Sequence, residues 1–185
     1  FKSVNFSSLI PKPKNILYDG IVNGKVSLTK TGNIYSGKSN IVLKDFSSNG
    51  YILGDAYVDI ESSELRDKYN IQVKLTEKDF DIFDVNGSFQ IDDLDYPLNL
   101  DVKTKNFRIK PFSAIGENVL QNFDGYFDSE FNVSGSLQKP NFRGFIKAVN
   151  TSFDVPYLGV RYSFPENPSF ELNQMSINID AFKIK

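Results

Sequence analysis

The sequence predicts an all-β protein, and three observations support that class. Of its 185 residues, 14% are aromatic, from 17 Phe and 9 Tyr with no Trp, and aromatic and β-branched side chains are enriched in strands. Apolar residues recur at every second position over strand-length runs, which is the period of a half-buried strand. One segment alone departs from that period. We therefore expect a single β domain over residues 1–185.

The first half of the chain contains successive strands of this kind. The run "IVNGKVSLT" opens the series, with Val22, Gly24, Val26 and Leu28 on one face. The next runs are "YILGDAYVDI", "KYNIQVKLT", "FDVNGSFQI" and "YPLNLDV". Alternation places the following residues on the apolar sides of these strands: Ile52, Gly54, Ala56, Val58 and Ile60; Tyr69, Ile71, Val73 and Leu75; Phe83, Val85, Gly87, Phe89 and Ile91; Tyr96, Leu98, Leu100 and Val102.

The segment "PFSAIGENVLQNFDG" breaks the pattern. Ile115, Val119 and Leu120 have near-helical spacing, Pro111 is typical of a helix start, and Gly125 follows its end. This predicts one short helix near residues 112–121.

Alternation then resumes to the end of the chain. Phe131, Val133, Gly135 and Leu137 share one face, and "QKPN" predicts a turn because Pro140 has no amide to donate. The next strand places Phe142, Gly144, Ile146 and Ala148 on one face. The apolar set then moves to Phe153, Val155 and Tyr157, which predicts a bulge or tight turn near Asn150 and Thr151.

Composition excludes several functional classes. The chain has no Cys and no His, which removes thiolate nucleophiles, imidazole bases and the usual zinc ligands. A net charge of -2 gives no basic field for phosphates, so we expect no nucleic-acid partner. No apolar run approaches the ~20 residues of a membrane helix. The start "FKSVNF" has no initiator Met and no targeting pattern, so the sequence is interpreted as a piece of a longer protein.

Two kinds of sequence pattern could indicate catalysis or metal binding. "SLTK" at Ser27–Lys30 and "SLQK" at Ser136–Lys139 match the SxxK spacing of serine acyl enzymes, which use that pair on one turn of a helix. Both lie in predicted strands, so we expect no catalysis. The acidic cluster Asp79, Asp81 and Asp84 lacks the spacing of a calcium loop. This cluster and a second one, Asp92, Asp93 and Asp95, are interpreted as solvated turns. The sequence therefore predicts no enzyme, catalytic residue, cofactor or metal site.

A strand motif with a central glycine occurs three times, as "VNGKV", "VNGSF" and "VSGSL". Glycine weakens a strand interior unless a bulge, bend or close approach requires it. A sheet that curves about its own apolar face would use it, although glycine also ends strands.

The segment "GYFDSEFNVSGSLQKPNFRGFIKAVNTSFDVP" resembles the repeating element of the TamB family, the inner-membrane component of the translocation and assembly module, within the AsmA-like superfamily. That element has a glycine before a strand, an apolar strand with G-[ST], a short gap, a proline, and a strand with a central glycine. The matching positions include Gly125, Gly135, Pro140 and Gly144. Earlier segments resemble the preceding part of the element, so the resemblance extends loosely over most of the chain.

The resemblance implies a fold and a function. It implies one long, strongly curved, mostly antiparallel sheet in an open U-shaped trough, like a β-taco, with an apolar interior. Alternation would then make the following residues the groove lining: Val22, Val26, Ile71, Val73, Leu98, Leu100, Val133, Leu137, Phe142, Ile146 and Phe153. The groove would shelter phospholipid acyl chains during inter-membrane transport, or nascent outer-membrane protein strands during assembly.

The resemblance also implies a location and partners. The domain would lie in the periplasm of a two-membrane bacterium, in a parent protein anchored in the inner membrane. The parent would work with an outer-membrane β-barrel assembly partner of the Omp85 type. Open sheet edges predict edge-to-edge self-association of the isolated chain. The alternatives are a structural or adhesive β-sandwich or closed barrel without a groove, because alternation does not separate a closed core from a lined groove, and, more remotely, a carbohydrate-active enzyme.

Overall fold

The computed structural model describes residues 1–9, 16–32, 34–63, 67–91, 93, 97–116, 121–174 and 176–179. Long strands account for most of them, as the alternating sequence predicts. The strands are β1 (Val4–Asn5), β2 (Tyr18–Thr31), β3 (Ile34–Ser48), β4 (Tyr51–Ser62), β5 (Lys68–Glu77), β6 (Phe80–Gln90), β7 (Leu98–Arg108), β8 (Gln121–Gly135), β9 (Pro140–Val155), β10 (Val160–Ser163), β11 (Ser169–Gln174) and β12 (Ser176–Ile179). Short 3-10 helices cover Phe6–Ser8, Lys110–Gly116 and Pro156–Leu158.

All twelve strands belong to one sheet. The order is β1-β2-β3-β4-β5-β6-β7-β8-β9-β11-β12. Strand β10 pairs with the C-terminal part of β9, which follows the part of β9 that pairs with β11. Each pair is antiparallel, and from β1 to β9 neighbours in the chain are also neighbours in the sheet. The sheet is open, with β1 and β12 at its edges. The predicted all-β class and single antiparallel sheet are confirmed, and the closed-barrel alternative does not describe this sheet.

The two faces of the sheet differ in polarity. Residues directly opposite each other in paired strands project to the same face. One face, the apolar face, carries two rows across the sheet: Val26, Ser39, Ile60, Ile71, Gly87, Leu100, Val133 and Phe142; Gly24, Ile41, Val58, Val73, Val85, Val102, Phe131 and Gly144. The other, the polar face, carries between them the row Lys25, Asn40, Asp59, Gln72, Asn86, Asp101, Asn132 and Arg143.

A line of β-bulges crosses the sheet near one end of the strands. The pairing shifts between Asp19 and Ile21 in β2, and similar shifts occur in β3, β7 and β9. Asp45, Asn106 and Asn150 have positive φ of 52°, 50° and 48° at these points, a conformation that Asp and Asn tolerate better than most residues. The bulge predicted near Asn150 and Thr151 is therefore confirmed.

The main apolar cluster lies on the side of this line toward the Lys110–Gly116 helix. Leu53, Leu75 and Ile82 are 2%, 5% and 5% exposed. The partly buried residues that pack on them are Phe46, Ala56, Phe83, Phe107 and Phe112. The bulges change side-chain parity here, which explains why Leu53 is buried while Ile52, predicted to be the inward residue, is 62% exposed. That prediction for Ile52 is wrong.

Other local predictions need correction. The helix expected near 112–121 is a 3-10 helix over Lys110–Gly116, and Gln121 already belongs to β8; residues 117–120 lie outside the described part. Gly125 lies inside β8 at a bulge and not before the strand. Pro140 begins β9 opposite Gly135, a first-residue position where proline is tolerated. Leu137 follows the end of β8 and has no strand partner in the described pairing.

Candidate functional site

The apolar face is the candidate site, and most of the predicted groove residues lie on it. The pairing places nine of them there: Val22, Val26, Ile71, Val73, Leu98, Leu100, Val133, Phe142 and Ile146. Leu137 is 66% exposed in the connection between β8 and β9. Phe153 follows the β9 bulge and belongs to a separate aromatic cluster, with ring centroids 5.9 Å from Phe123 and 5.7 Å from Phe164. The alternating pattern thus brings nine of the eleven residues together, and Leu137 and Phe153 lie elsewhere.

Exposure changes along the apolar face. Val22, next to the bulge line, is 4% exposed, whereas Val26 and Leu28 further along the same strand are 54% and 68% exposed. Val22, Val26 and Leu28 alternate on one strand, so the change follows position along the strand and not residue type. On β2, which pairs with β1 only at Ile21 and Val22, the part of the face away from the bulges is therefore exposed to solvent.

The polar groups on the apolar face are mostly bonded within the chain. Thr104 Oγ1 and Ser129 Oγ lie 2.8 Å apart, and Ser62 Oγ accepts from the Gly37 amide at 2.8 Å and donates to its carbonyl at 3.0 Å. Ser39 Oγ is the buried side-chain atom without a partner in the described part. An alkyl chain makes no demand for hydrogen bonds, whereas a peptide backbone buried without partners costs free energy. The chemistry of this face suits hydrocarbon.

The polar face carries a shallow pocket of about 550 Å³ between β6 and β9. Most of its charges are paired: Lys103 Nζ lies 2.9 Å from Glu130, and Asp81 and Asp84 lie 3.0 Å and 3.6 Å from the neighbouring Lys74 Nζ. The hydrogen bond to Glu130 raises the pKa of Lys103. Because these side chains already form ion pairs, fewer unpaired charges remain to bind a ligand. The pocket is therefore a weaker candidate site than the apolar face.

Two bulges share one capping arrangement on the polar face. Asp55 accepts from the Asp45 amide at 3.0 Å and from Lys44 Nζ at 2.5 Å. Asp128 accepts from the Asn106 amide at 2.7 Å and from Lys105 Nζ at 2.5 Å. The carboxylate thus satisfies the amide that each bulge removes from the strand pairing.

The capping bonds perturb both carboxylates. The hydrogen bond from Lys44 lowers the pKa of Asp55, against a smaller effect of burial. Burial acts to raise the pKa of Asp128, but the bonds from Lys105 and Asn106 together outweigh it, so the pKa is lowered. Both bulges are therefore stabilised by the ionised form of the cap.

The glycines of the repeating element have a backbone role. A Cβ at Gly144 would lie 2.2 Å from the Glu130 carbonyl oxygen, and one at Gly125 would lie 2.6 Å from the Asn150 carbonyl oxygen. Their φ values are +142° and +107°, a region that favours glycine. Gly135 ends β8, as the alternative interpretation of these glycines allowed.

The positions considered as catalytic or metal-binding candidates lie in ordinary strands and turns. Ser27 and Lys30 both lie in β2, and Ser136 Oγ accepts from the Lys139 amide at 3.1 Å in the turn before β9. Asp92 and Asp95 lie outside the described residues. No group of three or more metal-ligating side chains occurs among the residues that the structure describes.

Sequence reasoning missed the contacts made by the segment after β7. Pro111 is buried and its carbonyl accepts from Ser48 and Asn49, which are more than sixty positions earlier in the chain. No local pattern signals so distant a pairing. The only hint is that Pro111 and Phe112 are apolar residues shortly after a strand.

Within the described ranges, no helix combines the length and hydropathy needed to cross a bilayer. Comparison with protein-family models, with curated proteins and with solved structures found no match to this chain.

Proposed function

We propose that this chain is a non-enzymatic domain of a TamB-like envelope protein, and that its apolar face shelters phospholipid acyl chains in transit between two membranes. The observation that carries the proposal is the apolar face itself, which runs from β2 to β9. Apart from short 3-10 segments, no second layer of described structure lies over it. A large apolar surface left uncovered needs a function, because it is otherwise an aggregation hazard.

A trough with the apolar face inside belongs to this proposal. The line of bulges supports it, because each bulge bends its strand and increases the local twist. Each Å² of hydrocarbon removed from water in such a trough would gain about 25 cal/mol. The domain would act in the periplasm, within a parent protein anchored in the inner membrane, opposite an outer-membrane partner of the Omp85 type.

Acyl chains suit this surface better than unfolded outer-membrane strands. Thr104, Ser129 and Ser62 already bond within the chain, so they offer little to the amides and carbonyls of a bound strand. A peptide in the middle of the face would leave those groups unpaired at a cost of about 1–3 kcal/mol each. Hydrocarbon carries no such penalty.

Site-specific photo-crosslinking in intact cells tests the proposal. A photoreactive side chain at Val133 would lie on the apolar face, while the same group at the adjacent Ser134 would lie on the polar face. We expect phospholipid to be captured at Val133 and not at Ser134. A second pair, Ile146 and Lys147, repeats the comparison on β9.

The other outcomes are equally informative. Capture of outer-membrane protein at Val133 and Ile146 would move the role to assembly of those proteins. Capture of nothing at either apolar position would overturn the proposal and favour a structural β protein. Equal capture of lipid on both faces would indicate contact with a membrane and no selective groove.

A further inference from the structure

A short segment after β7 crosses the apolar face and reaches β3. The Pro111 carbonyl oxygen accepts from Ser48 Oγ at 3.1 Å and from Asn49 Nδ2 at 2.9 Å. Ser48 is the last residue of β3 and Asn49 follows it. Strands β4, β5 and β6 lie between β3 and β7 in the sheet. We call residues 109–112, from Ile109 to Phe112, the strap.

The strap is firmly packed. Ile109 is 7% exposed, and Pro111 and Ser48 are among the most deeply buried residues. The Phe112 amide donates to the Ile109 carbonyl at 2.9 Å, which closes a turn. The Phe112 ring stacks on Phe107 with centroids 5.6 Å apart. The strap is thus a compact turn anchored in the main apolar cluster.

The length of the strap requires the sheet to bend. In a flat sheet, β3 and β7 would be four spacings apart, or about 19 Å. Three residues from Arg108 to Pro111 span at most about 11 Å when fully extended, and the Pro111 carbonyl, the hydrogen bond and the Ser48 side chain add about 8 Å. This total reaches the flat-sheet distance only if every part is extended in one line, and the turn closed by the Phe112 amide prevents that. The two hydrogen bonds to Pro111 therefore form only if β3 and β7 approach each other across the apolar face.

We propose that the strap is a clamp that sets the width of the apolar face at this end. The Ser48 and Asn49 bonds hold β3 to the strap, and the covalent chain holds the strap to β7. The clamp therefore fixes the width of the apolar face at the end where the strap lies. The inference concerns the sheet alone and does not depend on what the face binds.

The test removes the two donors and measures the sheet. Ser48→Ala deletes the hydroxyl, and Asn49→Asp deletes the amide donor while keeping the oxygen that accepts from the Leu17 amide. Spin labels at Val42 on β3 and Lys103 on β7, both on the polar face, report the bend. The chain has no Cys, so Val42→Cys and Lys103→Cys define the labels uniquely.

We expect the Val42–Lys103 label distance to shorten by several ångström in the Ser48→Ala/Asn49→Asp variant. The polar face is the outer side of the bend, so flattening brings outer labels together. The matched control Ser134→Ala/Asn141→Asp makes the same chemical changes on β8 and β9, away from the strap. The control should keep the wild-type distance.

An unchanged label distance in the strap variant would overturn the proposal, even if thermal stability fell. An equal change in the control would overturn it as well, because the effect would not belong to the strap. If the double variant does not fold, the single Ser48→Ala variant is measured, since alanine fills nearly the same space. A distance identical to wild type in that folded variant counts against the clamp.

Discussion

The two ends of the apolar face have the same kinds of side chains but very different burial. At the strap end, which contains the strap and the cluster around Leu53 and Leu75, side chains are 2% and 5% exposed. At the open end, Val26 and Leu28 on β2 are 54% and 68% exposed, whereas Ile71 and Leu100 on inner strands are half-buried. The strands run continuously between the two ends, and the bulges shift the alternating pattern at the strap end. Alternation therefore selects the face of the sheet on which a side chain lies, whereas crossing segments and bulges decide whether that side chain is buried.

Replacement of a strap-end core residue should have the largest effect on stability. Leu53→Ala removes a side chain that is 2% exposed and packed among Leu75 and Ile82, so we expect a loss of about 2–5 kcal/mol. Denaturant unfolding followed by circular dichroism measures it. A loss below about 1 kcal/mol would mean that the strap end is not the stabilising core, and the comparison between the ends would fail.

Two glycine substitutions compare the stability cost of an added side chain at a bulge and in an unbulged strand. A Cβ at Gly54 would lie 1.9 Å from the Thr76 carbonyl oxygen, with φ at +123°, whereas one at Gly37 has ordinary contact at 3.4 Å with Leu28. We expect Gly54→Ala to cost about 1–3 kcal/mol or more, and Gly37→Ala to be neutral or slightly stabilising. Thermal unfolding of the two variants in parallel measures the difference. Equal effects would show that the bulge at Gly54 does not constrain the backbone.

Acid should weaken the bulge line selectively. The pKa values of Asp55 and Asp128 are lowered in the folded state, so their contribution to stability is complete above the unfolded value of about 3.9 and is lost as the pH falls through the lowered pKa. Because these carboxylates are near the surface, we expect each to contribute no more than about 1 kcal/mol.

The Asp128→Asn variant tests this acid effect. We expect it to be less stable than wild type at pH 7 and to lose less stability on acidification below pH 4. Urea unfolding at both pH values provides the measurement, with Asp101→Asn on the same polar face as the control. The same acid loss in Asp128→Asn as in wild type would exclude the cap as its source.

Truncation at the open end should have the smallest effect. Leu28 is 68% exposed, so Leu28→Ala should change the free energy of unfolding by no more than about 0.5 kcal/mol. Under the proposed function, the same variant should bind an apolar dye less strongly than wild type. A stability loss comparable to that of Leu53→Ala would mean that Leu28 is covered in solution.

The positions of the strands and most of their apolar sides could be predicted from the sequence alone. Period-two alternation over Val22–Val26 and Ile71–Val73 predicts side-chain direction because a strand reverses it at every residue. The parity change at Asn150 was also readable, since the apolar set moves from Ala148 to Phe153. Each of these signals is local, so no partner strand was needed to interpret them.

The burial of individual side chains and the long-range contacts depend on the tertiary structure. A one-residue bulge near Gly54 exchanges the faces of Ile52 and Leu53, and its position depends on pairing with Phe46. The Ser48 contact with Pro111 joins residues 63 positions apart, and a hydroxyl in an alternating strand gives no sign of so distant a partner. Strand identity is a property of neighbouring residues along the chain. Which part of a sheet is covered depends on segments that meet only after the strands have paired.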